Sequence, residues 1–179
     1  MNITLRARAG LPSLRDGQLS AIVRSCIAAA SRDGFRVIAF SIQDNHLHLL
    51  AEADDQRHLV SGVQGLSIRT ARAVNRALGR RGSFWGDRYH ARDLATPREV
   101  RHAWVYVLRN VEKHQPGTSL RPDPCSSAPW FDGFAGHQPS STPCPVLPAR
   151  TWLATIGWRR AGPIQPHEAP CPAPRRIPL

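Results

Sequence analysis

Proline divides this chain into two parts that cannot fold by the same rules. Of its sixteen prolines only Pro12 and Pro97 precede residue 115. A proline inside a helix or a central strand removes a backbone donor and breaks the element. Regular structure is therefore expected over residues 1–114, as one compact domain with length enough for a real core. Residues 115–179 read as a proline-rich extension, partly packed through its aromatics and disordered beyond about residue 166.

Within the first part, apolar spacing marks the elements. A strand is expected over Asn2 to Arg8 and a helix over about Asp16 to Ser31, where Leu19, Ile22, Val23, Cys26 and Ile27 keep helical spacing. Phe35 to Gln43 alternates as a strand, with Val37, Ala39 and Ser41 on one face and Ile38, Phe40 and Ile42 on the other. Asp44-Asn45 turns into a strand from His46 to Ala53, followed by a helix over Gln56 to Leu78 and a strand around Arg88 to Leu94. Thr96-Pro97-Arg98-Glu99 carries the capping box of a last helix reaching Lys113 or His114. The order β-α-β-β-α-β with one added helix is the split βαβ plan: an α+β, ferredoxin-like fold with an antiparallel sheet. The short stretch Arg150 to Arg160 is expected to add a small helix ending at Gly157.

Charge narrows the partners. The net charge is +11, and Lys113 is the only lysine. Arginine forks match phosphate oxygens in pairs, so the surplus points to a polyanion, nucleic acid first among them. Along the Gln56–Leu78 helix and just past its end, Arg69, Arg72, Arg76 and Arg80 fall on one stripe beside the apolar one, and Arg81, Arg88 and Arg92 continue it in sequence. These are candidate phosphate contacts; the plain alternative is a solvated basic face. Phe84 and Trp85 are read either as base-stacking or as core residues. No apolar run reaches the ~20 residues that cross a bilayer, and the first residues hold no signal-peptide core. The expectation is a soluble cytoplasmic protein, acting at the nucleoid. Cys26, Cys125, Cys144 and Cys171 lack paired spacing and are read as ordinary thiols.

Two constellations carry chemistry. In Asn45-His46-Leu47-His48, residues i and i+2 of a strand point the same way, so both imidazoles share one face and can hold one divalent ion. The alternative is two partly exposed histidines on a sheet. On the last helix Tyr106 and Asn110 lie four residues apart and stack, at the flank of a buried stripe of Val100, Trp104, Val107 and Val111, with Lys113 close by. Taken alone, the pair reads first as a core-edge tyrosine beside an exposed asparagine. Near a two-histidine site it reads as a nucleophile and a third metal ligand.

Together these residues resemble the single-tyrosine HUH transposases of simple insertion sequences and of the REP-associated group. His46-Leu47-His48 matches the His-hydrophobic-His motif, and Tyr106-Val107-Leu108-Arg109-Asn110 matches the tyrosine four residues before a Gln or Asn. Gly82-Ser83-Phe84-Trp85-Gly86-Asp87-Arg88-Tyr89-His90 is similar to a segment of one bacterial subgroup. The likeness covers roughly residues 2–114, with Asp44 before the motif and Val111 after Asn110 as departures.

The resemblance implies a transposase that nicks and rejoins single-stranded, hairpin-containing DNA through a 5′-phosphotyrosine. It implies Tyr106 as nucleophile, Mg²⁺ or Mn²⁺ held by His46, His48 and Asn110, and Lys113 among the DNA contacts. A homodimer enters from resemblance alone, since relatives exchange the tyrosine helix. Two other readings share parts of the pattern: a non-catalytic ferredoxin-like nucleic-acid-binding protein, and a host-adopted single-strand endonuclease.

Overall fold

Each principal helix begins at a side chain that accepts from its first-turn N–H groups, which would otherwise lack partners. In the computed structural model, which describes residues 1–111 and 122–170, Asp16 caps α1 (Gly17–Ala28) and Asp55 caps α2 (Gln56–Ala77). Thr96 caps α3 (Pro97–Leu108), where the Thr96 hydroxyl accepts from Glu99 N–H at 3.2 Å and the Glu99 carboxylate accepts from Thr96 N–H at 3.1 Å. The capping box expected from sequence is formed.

Four strands, β1 (Asn2–Arg6), β2 (Phe35–Ile42), β3 (His46–Ala53) and β4 (His90–Arg92), make one antiparallel sheet in the order β2-β3-β1-β4. This is the α+β, ferredoxin-like arrangement expected from the element order. One face, with Ile3, Leu5, Phe40, Ile42, Leu47 and Leu49, packs under α1 and α2. The other face carries Ala39 and Leu50 and lies under α3 and the C-terminal segment.

Several local expectations need correction. The alternation of β2 is broken by a register shift between Val37 and Ala39, so Val37 joins Phe40 and Ile42 in the first core while Ile38 and Ala39 join the second. β4 keeps only three residues, against the seven expected. α1 stops at Ala28, and α3 stops at Leu108, with Arg109 as its C-cap. Residues 110–111 resume helical backbone after that break, and the expected continuation to Lys113 or His114 lies outside the described residues. The buried side of α3 is also wider than one stripe: Ala103, Val105 and Leu108 are buried with Val100, Trp104 and Val107. The helix is covered on two sides, by the sheet and by the extension.

The extension is built against the sheet edge. Ile42 N–H donates to Cys125 O at 2.8 Å, Ser127 N–H to Phe40 O at 2.9 Å and Leu147 N–H to Val37 O at 3.1 Å. Arg15 donates to both oxygens of Asp123, at 2.9 and 2.8 Å. Phe131 stacks between Trp104 and Trp158, with ring centroids 4.8 and 5.5 Å apart. A four-residue helix α4 (Trp152–Thr155) stands where a helix ending at Gly157 was expected. The expected disorder beyond residue 166 is corrected for residues 167–170: Glu168 accepts from Arg101, at 2.9 Å for one of its oxygens. Residues 171–179 lie outside the described residues. Cys26, Cys125 and Cys144 are free thiols, and no helix among the described residues is long and apolar enough to cross a membrane.

Candidate active site

The antiparallel register places His46 opposite Arg6 and His48 between Thr4 on β1 and Ser41 on β2, all on the face that α3 crosses. The two imidazoles stand edge to face, 4.6 Å between centroids. His48 is buried and His46 half-buried. Each ring has a partner at Nδ1: Asn45 Oδ1 at 2.8 Å for His46, and the Thr4 hydroxyl at 3.1 Å for His48. A carboxamide oxygen only accepts, so this contact suits a ring that carries its proton on Nδ1 and leaves Nε2 as the acceptor. The Thr4 hydroxyl can accept in the same way. Such contacts fix the ring orientation and the tautomer of metal-binding histidines. Beside them, Gln43 Nε2 donates to Ser41 Oγ at 2.6 Å, both side chains being buried.

α3 brings the tyrosine to this face. Val100, Trp104 and Val107 bury the helix between sheet and extension, which directs its last turn at β3. There the Tyr106 ring meets His48 at 4.9 Å between centroids, edge to face, with the tyrosine half-buried. A phenol and two imidazoles from separate elements therefore converge.

Asn110 follows on the far side of the break at Arg109. It is 1% exposed, and neither its oxygen nor its nitrogen has a hydrogen-bond partner among the described residues. The exposed asparagine of the plain sequence reading is thereby excluded. A buried amide left so costs about 1–3 kcal/mol per group, which ligation by its oxygen would offset. Two imidazoles and a carboxamide oxygen suit a divalent ion of borderline hardness. No group of three or more His, Cys, Asp or Glu side chains able to hold a metal occurs among the described residues. The imidazole pair and the buried amide are donor types that a divalent cation takes.

The arginines fall elsewhere. α2 lies behind the sheet, on the face opposite the histidines, so its exposed Arg72 and Arg76 point away from them. Arg69 donates to Ala29 O at 2.8 Å, closing the end of α1, and Arg80 donates to Asn75 Oδ1 at 2.8 Å. Arg81 is exposed, and Arg88 lines a groove between α2 and β4 with Trp85 and Tyr89. Arg92 shares the histidines' face and donates to Glu99 Oε1 at 2.9 Å. Lys113 lies outside the described residues. Phe84 is buried, and Trp85 donates its ring N–H to Ser67 O at 2.9 Å, so both serve the core. Sequence reading did not single out Thr4, Ser41, Gln43 or Asn45 as neighbours of the imidazoles. Only Asn45 carried a local signal, being adjacent to His46.

Comparison with known proteins gives a family and a similar fold. The sequence model of a family described as "Transposase IS200 like" matches residues 13–107, more than half of the chain. Among solved structures, one described as "Structure of the REP associates tyrosine transposase bound to a REP hairpin" is similar in fold, with a TM-score of 0.52 and 20% sequence identity. That match covers 63% of this chain and 66% of the other, just under two thirds of it. No curated protein matches the chain.

Proposed function

The chain belongs to the IS200-like transposase family, and from that premise we propose that it nicks and rejoins single-stranded DNA through a 5′-phosphotyrosine intermediate. The observation that carries this reading is the approach of the Tyr106 ring to His48, 4.9 Å between centroids, beside His46. Tyr106 is the nucleophile. Its oxygen bonds to phosphorus while the P–O3′ bond breaks, the phenolic proton passes to solvent, and the leaving 3′ oxygen takes up a proton. The product keeps a phosphodiester bond, so a 3′-hydroxyl reverses the step without another energy source.

His46, His48 and Asn110 are the residues that hold a divalent cation, Mg²⁺ or Mn²⁺. Such an ion, when bound, supplies Lewis acidity toward a phosphate oxygen. Asn45 and Thr4 keep the two imidazoles turned for that task, and burial of His48 and Asn110 limits water at the site. The fold relative carries a REP hairpin, and we extend that to a hairpin-containing single strand as the substrate of this chain. Tyr89 packs against the core on the other face of the sheet and takes no part.

The test is incubation with hairpin-flanked single-stranded DNA and Mn²⁺, followed by denaturing electrophoresis. Wild type and Tyr89→Phe should give a denaturation-resistant protein–DNA conjugate, whereas Tyr106→Phe should give none. A conjugate that survives in Tyr106→Phe overturns the assignment.

A further inference from the structure

Resting on that reading of the site, we propose that the strand to be cut runs from the imidazoles across β1 to the β4 edge, held through its phosphates by Arg6 and His90. The register defines this track. Arg6 is the cross-strand partner of His46. His48, Thr4 and His90 form one row across β3, β1 and β4, because Thr4 pairs with both histidines. Paired residues project to the same face, so Arg6 and His90 share the face of the candidate site. The row from His48 to His90 spans two strand spacings, ~10 Å.

Coverage of that face is unequal. Among the described residues, the apolar cluster under α3 and the extension takes Ile38 and Ala39 from β2 and Leu50 from β3, and includes none from β1 or β4. On the uncovered half Arg6 and His90 are exposed and Thr4 is half-buried. The opposite side of the same two strands is apolar, with Ile3, Leu5 and Ala91 turned into the core. Polar residues on that side follow the alternation of a half-solvated sheet; what distinguishes Arg6 and His90 is their place in register with the imidazoles.

Chemistry chooses the occupant. A guanidinium fork binds phosphate oxygens in pairs, and either tautomer of a neutral imidazole keeps one N–H donor. Arg92, on the same face, is already engaged by Glu99 at the start of α3 and is not counted in the track. Arg6 and His90 are exposed, in register with the imidazoles that Tyr106 approaches, an arrangement that fits one extended nucleic-acid strand. The arginines of α2 cannot serve this path, since the sheet separates them from it.

The test uses the full chain and a fluorescent single-stranded DNA 12-mer, with binding followed by anisotropy from 50 to 200 mM salt and no added metal. Arg6→Gln should flatten the dependence of log K on log salt by about 0.7, the loss of one contact to a single strand. Arg6→Gln with His90→Ala should weaken binding tenfold or more at 100 mM salt, as expected for about two charge-assisted hydrogen bonds. Arg57→Gln, which removes an equally exposed arginine at the start of α2, should do neither. Unchanged binding in the double variant overturns the track, as does an equal loss in Arg57→Gln. A loss of the same size toward a blunt duplex stem also overturns it, since the surface would then hold the stem. Conjugate formation by the wild type with Mn²⁺ reports on the proposed function separately. A conjugate without the salt effect removes only the track, and the salt effect without a conjugate removes only the nuclease reading.

Discussion

The hydroxyl of Thr4 on β1 lies 3.1 Å from Nδ1 of His48 on β3, so the first strand of the fold orients an imidazole presented by the third. Thr4→Val keeps the shape and removes that partner. Mn²⁺ affinity, measured by titration with electron paramagnetic resonance, should fall about 10–100-fold, and Thr4→Ser should restore it. Equal affinity in Thr4→Val would show that the hydroxyl does not orient the ring.

Arg15, in the loop before α1, and Asp123 join the first part of the chain to the extension by a two-pronged ion pair, with side chains 19% and 2% exposed. The neighbouring carboxylate raises the Arg15 guanidinium pKa above its ordinary value. Asp123→Ala should destabilise the protein by about 2–3 kcal/mol, less than a fully buried pair because water reaches Arg15. Urea unfolding measures this, and a loss below about 0.5 kcal/mol would mean the pair does not fasten the extension.

The Arg101–Glu168 pair predicts a pH-dependent last described turn. Hydrogen bonds from Arg101 hold the Glu168 carboxyl below the usual glutamate range. A depressed folded value means the contribution is fully present above the unfolded glutamate value, ~4.3, and is lost as pH falls through the lower folded one. Hydrogen exchange at the Ile164 N–H, which donates to Gly133 O at 2.9 Å, should gain protection from this pair only above that window. Glu168→Gln should remove that pH dependence.

Arg72 and Arg76, exposed on α2 behind the sheet, suit DNA that flanks the cut strand. Replacing both by alanine should weaken binding of a hairpin-containing oligonucleotide and flatten its salt slope by up to about 1.8 for duplex contacts. An unchanged slope would remove this helix from the binding surface.

Local chemistry was legible in the sequence, and pairing across distance was not. Thr96 to Glu99 announces a capping box because all its partners lie within four residues, and His46 and His48 share a face because a strand repeats every two. The neighbourhood of Thr4 and His48 depends on the register between strands 44 residues apart in sequence, which no local period encodes. The bulge at Ile38 defeats strict alternation for the same reason: its cause is the fit to β3 and the two cores. Helical arithmetic put Arg72 and Arg76 outside the core correctly, but it could not say which side of the sheet α2 would occupy. The order in residues 122–170 was the least legible. Prolines there keep regular elements short, yet Ser127 and Leu147 retain the N–H groups that bond to β2, and Phe131 and Trp158 supply the apolar mass that docks it.

The bonds that Cys125, Ser127 and Leu147 make along β2 also constrain assembly. A sheet propagates into a fibre only if each copy offers two open borders, one to give and one to receive. Here the chain seals one border with its own backbone, so strand addition between copies is restricted to β4. Pairing of two copies through β4 would close on itself about a two-fold axis, so the backbone laid along β2 by residues 125–147 would work against polymer growth.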